Sequence, residues 1–263
     1  MSIYVEQRGQ GPDVVLLHGW GMNSAVWQGF AGQLESHFQV HLIDLPGFGE
    51  SAPLATSADL TQWAEAILAV TPLQAAWLGW SLGGLIASQA ALLQPSRVSQ
   101  LITLASSPCF VTKPDWPGIK PEVLKQFQQQ LSTDHQALIQ RFLALQAMGS
   151  PTARDDIRTL STQLANKPAP TAEALLAGLR LLETSDLRCD MAQLTMPTLR
   201  LYGRLDGLVP NKVIPLVDKL LPQSQHYIEA KASHAAFISH PQSTAEQITA
   251  FLMDKGHPPK CEY

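Results

Sequence analysis

Cysteine is scarce in this 263-residue chain: Cys109, Cys189 and Cys261 are odd in number and far apart. No CxxC pair and no Cys/His cluster at zinc spacing occurs, so neither a disulfide framework nor a metal site is expected. A reducing, cytoplasmic setting fits that usage best. Long apolar runs are missing too. None approaches the ~18–20 residues that would cross a bilayer, so no membrane association is expected. Residues 1–11 lack a basic segment followed by an apolar one, and no secretion leader is expected. There is no excess of basic charge: 18 Lys and Arg stand against 22 Asp and Glu, a formal net charge of −4. That excludes a global field for nucleic acid, although it leaves room for a local patch. With 45% hydrophobic and only 15% charged residues, a sizeable core is available and disorder is not indicated. The length suits one large domain, or one domain carrying an insertion.

What is present is an alternation of strand-like and helix-like segments. Short strand-like runs at 14–17, 40–43, 75–78, 101–104, 198–202 and 225–228 are rich in branched residues and not strictly alternating. Such runs suit central strands covered on both faces. Helical spacing between them, as at 60–69 and 85–93, predicts an α/β fold with a mostly parallel sheet and helices on both faces. From Cys109 to about Leu187 no strand pattern is evident. Four helical patterns appear instead, at 121–131, 135–146, 152–164 and 171–182. A normal crossover needs one helix rather than four. Residues 1–108 and 190–255 are therefore expected to form a core and 109–189 a helical cap, with 256–263 a peripheral tail.

The strongest chemical signal is Gly79-Trp80-Ser81-Leu82-Gly83, a G-x-S-x-G sequence followed by Gly84. It stands where a strand gives way to a helix, the context in which a serine is held exposed on a sharp turn. A serine needs a base, and eight histidines are available. His18 follows a strand in His-Gly-Trp-Gly and suits a loop-shaping role. His37, His41, His135 and His226 suit surface or strand positions, and His257 lies in the tail. His240 directly precedes Pro241, a first-turn residue of the closing helix. His234, on a loop after the final strand, is the better base. Asp206, just past the penultimate strand, suits the acid that orients it; Asp186 and Asp190 precede that strand and fall at the wrong edge. The N–H groups of Leu82 and Trp20 are the candidates for stabilising a developing oxyanion. Trp20 and Trp80 side chains suit either pocket walls or plain core packing.

Serine, acid and histidine in this order, each at a strand end, resemble the α/β-hydrolase superfamily. Epoxide hydrolases and haloalkane dehalogenases of that superfamily use an aspartate where this chain has Ser81. A narrower resemblance is carried by Leu16–Gly21, Asp44–Gly49, Trp77–Gly84, Ala105–Phe110, Trp116–Pro121, Arg141–Gln146 and Leu201–Pro210. These segments look like the pimeloyl-[acyl-carrier protein] methyl ester esterases of biotin synthesis, the BioH family. The resemblance implies a serine carboxylesterase that removes the methyl ester from a pimeloyl chain while the chain stays on its carrier, releasing methanol. It implies Ser81, Asp206 and His234 as triad, Trp20 and Leu82 as oxyanion hole, and no metal or organic cofactor. Together with Trp20, Ser81, Leu82 and His234, it implies that Phe142, Leu143, Ala144, Leu145 and Gln146 line the acyl site.

The partner so implied is an acidic carrier protein. Residues 113–180 hold eight Lys and Arg against six Asp and Glu, while the rest of the chain sums to −6. A basic cap on an acidic body would steer such a partner. Arg154 and Arg158, one turn apart, with Arg141 and Lys120, are the expected carrier contacts; the same residues also suit an ordinary solvated face. No nucleic acid is expected as partner, and a monomer is expected. Two rivals remain open: a general short-chain esterase or carbon–carbon bond hydrolase of the same fold, and a non-catalytic receptor for a small molecule.

Overall fold

A computed structural model describes residues 2–131 and 135–254; the tail 256–263 lies outside the described residues. Seven strands form one sheet: β1 (Val5–Arg8), β2 (Asp13–Leu17), β3 (Gln39–Ile43), β4 (Ala75–Trp80), β5 (Val98–Leu104), β6 (Thr198–Gly203) and β7 (Gln225–Glu229). Their order is β1-β3-β2-β4-β5-β6-β7. Only β1 runs antiparallel to its neighbour; the other five pairings are parallel. The described helices are α1 (Gln28–Ala31), α2 (Leu60–Leu68), α3 (Leu82–Leu93), α4 (Pro121–Leu131), α5 (His135–Ala147), α6 (Ala153–Leu164), α7 (Ala172–Thr184), α8 (Ile214–Leu220), α9 (Ala236–Ser239) and α10 (Pro241–Met253). The expected mostly parallel α/β sheet is thus the observed one.

The strands explain themselves by burial. Every residue of β4 and of β6 is buried; β4 accordingly reads as a continuous apolar run, whereas β6 buries Arg200, whose guanidinium pairs with Asp218. The sequence pattern missed β1. Val5-Glu6-Gln7-Arg8 has one apolar residue and lies at the sheet edge, where charged side chains face water and the backbone alone supplies the pairing. Ordered this way, β2, β4 and β6 end side by side or one strand apart. The loops leaving their carboxyl ends share one rim of the sheet, where open α/β sheets place their sites.

Between β5 and β6 come α4, α5, α6 and α7, at the positions where helical periodicity predicts them. Isolated bridges at Cys109–Asp186, Val111–Ile119 and Lys113–Trp116 tie the approaches to this insertion. Among the described residues no helix is long and apolar enough to cross a membrane, and no group of His, Cys, Asp and Glu is arranged to hold a metal ion.

Candidate active site

Ser81 occupies the turn from β4 into α3 with φ 55° and ψ −117°, in the left-handed region that side chains avoid. Such strain persists only where the surroundings over-determine it. Here Ser81 N–H donates to Leu104 O at 2.9 Å, and the Ser106 hydroxyl donates to Ser81 O at 2.8 Å. A side chain at Gly79 would collide with the backbone of Gly83, and one at Gly83 with Leu17 O. The two flanking glycines are therefore required by close approach.

Asp206 and His234 meet as a buried pair. His234 Nδ1 lies 2.8 Å from Asp206 Oδ2, with both side chains essentially inaccessible. The other carboxylate oxygen, Oδ1, accepts the N–H groups of Leu208 and Val209 at 2.8 and 3.0 Å. The acid is thus oriented by its own loop and in turn fixes the imidazole, leaving Nε2 as the free nitrogen. Nε2 is buried and has no hydrogen-bond partner. On the other side, the Trp80 indole N–H donates to His234 O at 2.9 Å, and the two rings lie 5.8 Å apart. The residue preceding Ser81 therefore anchors the histidine loop.

Leu82 follows Ser81 directly, and the loop carrying Trp20 lies against it, a Cβ at Gly19 standing 3.3 Å from Ser81 Cβ; among the described residues neither the Trp20 nor the Leu82 N–H has an acceptor. Leu82 is the first residue of α3, whose opening N–H groups have no intrahelical partner. Trp20 is completely buried, and its indole donates to Leu175 O of α7 at 2.8 Å. Its ring meets Phe142 edge-on, with centroids 4.7 Å apart. Gly178 of α7 lies directly over it: a Cβ there would stand 2.7 Å from Trp20 Cδ1 and 3.5 Å from Leu82 Cδ2.

The five residues implied for the acyl site do not share one face. Phe142, Leu143 and Gln146 are buried, Leu145 is half-buried and Ala144 is exposed. A helix turns about 100° per residue, so five consecutive positions sweep more than a full circle. Phe142, through its contact with Trp20, and Gln146, whose Oε1 is buried without a partner, are the two with a clear relation to the site. Of the basic residues, Lys120 and Arg154 are exposed. Arg158 pairs with Asp155 at 2.9 Å. The Arg141 guanidinium contacts Gln130 and stacks on Phe127.

Several functional contacts escaped sequence reasoning. His18 does shape its loop: Nδ1 lies 2.8 Å from Gly19 O, and Nε2 accepts the Leu45 N–H at 2.9 Å. Complete burial pushes its pKa down to about 4, so the ring is neutral. Asp44, fully buried, receives the N–H groups of Ser24 and Glu50 and pairs with Lys167 Nζ at 2.8 Å. Burial acts to raise its pKa, but His18, Lys167 and the two amides outweigh it and hold the carboxyl below the ordinary range. Lys167 joins α6 to α7 and also lies 3.7 Å over the Tyr4 ring. This ion pair bolts the insertion to the loop after β3. Beside it, Gly21, Asn23, Ile139, Gln140, Ser161 and Leu164 line part of a pocket of about 350 Å³ between α5 and α6.

The chain is similar to known proteins over most of its length. Residues 12–241 match the family described as alpha/beta hydrolase fold. The chain is 56% identical over 254 residues to the pimeloyl-[acyl-carrier protein] methyl ester esterase of Aeromonas salmonicida (strain A449), covering 96% of this chain and 100% of that one. It is 53% identical over 252 residues to the protein of the same name from Serratia marcescens, covering 95% and 98%. Among solved structures, an esterase from Exiguobacterium antarcticum superimposes with a TM-score of 0.85 at 23% identity, over 95% of each chain. A bromoperoxidase from Bacillus anthracis does so with a TM-score of 0.86 at 21% identity, over 96% of this chain and 95% of that one. Those two likenesses concern the fold alone.

Proposed function

This chain belongs to the α/β-hydrolase fold family and, within it, to the pimeloyl-[acyl-carrier protein] methyl ester esterases, and from that premise we propose how its residues carry out the reaction. The enzyme is a carboxylic ester hydrolase: the methyl ester of pimeloyl-[acyl-carrier protein] and water give the free distal carboxylate and methanol. The observation that carries the mechanism is the buried Asp206–His234 pair with its unpartnered Nε2, anchored beside the strained Ser81.

Ser81 Oγ attacks the ester carbonyl while His234 Nε2 takes the hydroxyl proton. Asp206 holds the imidazole in the required tautomer and offsets the positive charge that forms. The carbonyl oxygen becomes an oxyanion, received by the N–H groups of Trp20 and Leu82, which are otherwise without acceptors. Collapse breaks the bond to methoxide, which leaves as methanol with the proton from His234. Water then gives a proton to the same nitrogen and attacks the acyl-enzyme. Its hydroxyl ends on the acid, and Ser81 recovers its proton. No metal or organic cofactor takes part.

Residues 1–108 and 190–255 act as the catalytic core and 109–189 as its cap. The carrier-borne chain reaches Ser81 beneath the insertion, where Phe142 of α5 meets Trp20. Arg154 and Arg158, with Arg141 and Lys120 as lesser contributors, receive the acidic carrier. The enzyme works as a monomer in the cytoplasm, without nucleic acid or membrane. The test is labelling with a serine-reactive phosphonate, read by peptide mass. A single adduct on Ser81, lost in His234→Ala, supports the assignment; an adduct elsewhere, or full turnover by Ser81→Ala, refutes it.

A further inference from the structure

The last carbonyls of a helix have no intrahelical donor and need partners from outside. At the end of α5 those partners come from the histidine loop. Gln146 O accepts the His234 N–H at 3.0 Å, and Met148 O accepts the Ser233 hydroxyl at 2.9 Å. Ser233 is 3% exposed, and its Oγ lies 3.4 Å from Leu205 O, next to Asp206. On its other side the His234 peptide is held by the Trp80 indole. The catalytic histidine is therefore suspended between the serine elbow and the insertion. Asp206 sets the direction of the ring, but the place of its backbone depends on α5.

We propose that Ser233 is a positioning residue for His234, and that through it the carboxyl end of α5 is part of the machinery for turnover. The inference rests on His234 being the general base proposed above. Ser233 touches no reacting atom. Its hydroxyl joins three segments that must stay in register: the end of α5, the Asp206 loop and the His234 loop. The insertion then affects hydrolysis of any ester, including one too small to reach the cap.

The experiment uses the full chain and p-nitrophenyl acetate, a carrier-free ester. Loss of the Ser233 hydroxyl frees the loop by a fraction of an ångström, and misplacement of a catalytic group on that scale lowers rate steeply. For Ser233→Ala the expected result is a kcat about tenfold lower with KM little changed. The downfield proton resonance of the Asp206–His234 hydrogen bond should shift or broaden, and Ser233→Thr, which keeps the hydroxyl, should restore both readouts in large part. Wild-type kcat and an unmoved resonance in Ser233→Ala would overturn the proposal, as would a Thr variant no better than Ala. If the Ala variant does not fold, Ser233→Cys keeps the volume and weakens the donor; an intermediate kcat is expected, and an unchanged one overturns the proposal. His234→Ala, run in parallel, separates the failures. Retained turnover there removes the triad reading and this inference with it. Loss of turnover there with a silent Ser233→Ala removes this inference alone.

Discussion

Ser81 and Asp206 leave the ends of β4 and β6, strands in which every residue is buried, whereas the insertion reaches the same site through separate contacts. Among them are α7 and Phe142 on Trp20, Lys167 on Asp44, and the end of α5 on the His234 loop. The core holds its groups by sheet pairing and close packing, which lets neither strand end move alone. The insertion shares the apolar core through residues such as Phe142 and Leu175, but the polar bonds that tie it to the site are few, and each can be cut by one substitution. The difference separates two jobs. The chemistry is written into the sheet, while access, oxyanion geometry and the seat of the histidine depend on how the insertion is fastened.

Cutting the fastening at Lys167 should show the largest effect. Lys167→Met leaves the Asp44 carboxylate buried without its cation, which typically costs about 3–5 kcal/mol. Urea unfolding should register that loss; a change below about 1 kcal/mol would mean that the backbone amides alone satisfy Asp44. Next comes the core loop behind it. His18 titrates near 6.5 when unfolded and at about 4 when folded. Between those values the unfolded chain binds a proton that the folded one refuses, so stability is full above about pH 6.5 and falls as pH drops toward 4. The gap corresponds to about 3 kcal/mol, and in His18→Asn that part of the pH dependence should disappear.

A smaller effect is expected where α7 meets Trp20. Gly178→Ala places a methyl 2.7 Å from Trp20 Cδ1, and overpacking of this kind costs about 1–3 kcal/mol. Because the displaced residue carries one of the proposed oxyanion donors, kcat on a carrier-free methyl ester should fall more than KM rises. An unchanged kcat would dissociate the Trp20 side chain from its amide. Smallest is the effect of the exposed charges. Arg154→Glu with Arg158→Glu should lower kcat/KM for the carrier-borne substrate severalfold at low salt, less at moderate salt, and leave carrier-free ester hydrolysis unchanged.

How much of this could be read from residues alone follows the same division. The elbow, Asp206 and His234 sit in short local patterns at strand ends, so their spacing speaks for them, and the four insertion helices carry their own periodicity. The β1 strand did not show itself because an edge strand needs backbone pairing rather than an apolar face. Ser233, Gly178 and the Lys167–Asp44 pair were invisible for another reason. Each acts across a gap in sequence, 85 residues for Ser233 to Met148 and 123 for Lys167 to Asp44, and a lone serine, glycine or lysine has no local signature. The run from Phe142 to Gln146 is a different case, since its residues differ in burial. Resemblance marks a segment as important, but only the turn of the helix decides which of its side chains face inward.

Hydrolysis of the distal methyl ester leaves the acyl chain on its carrier, and intact-protein mass measurement of pimeloyl methyl ester on acyl carrier protein, taken during turnover, tests this directly. A carrier lighter by one CH2 with its acyl chain retained is expected, with methanol in stoichiometric amount and neither change with Ser81→Ala. Accumulation of deacylated carrier, with the methyl ester still on the released acid, would contradict it.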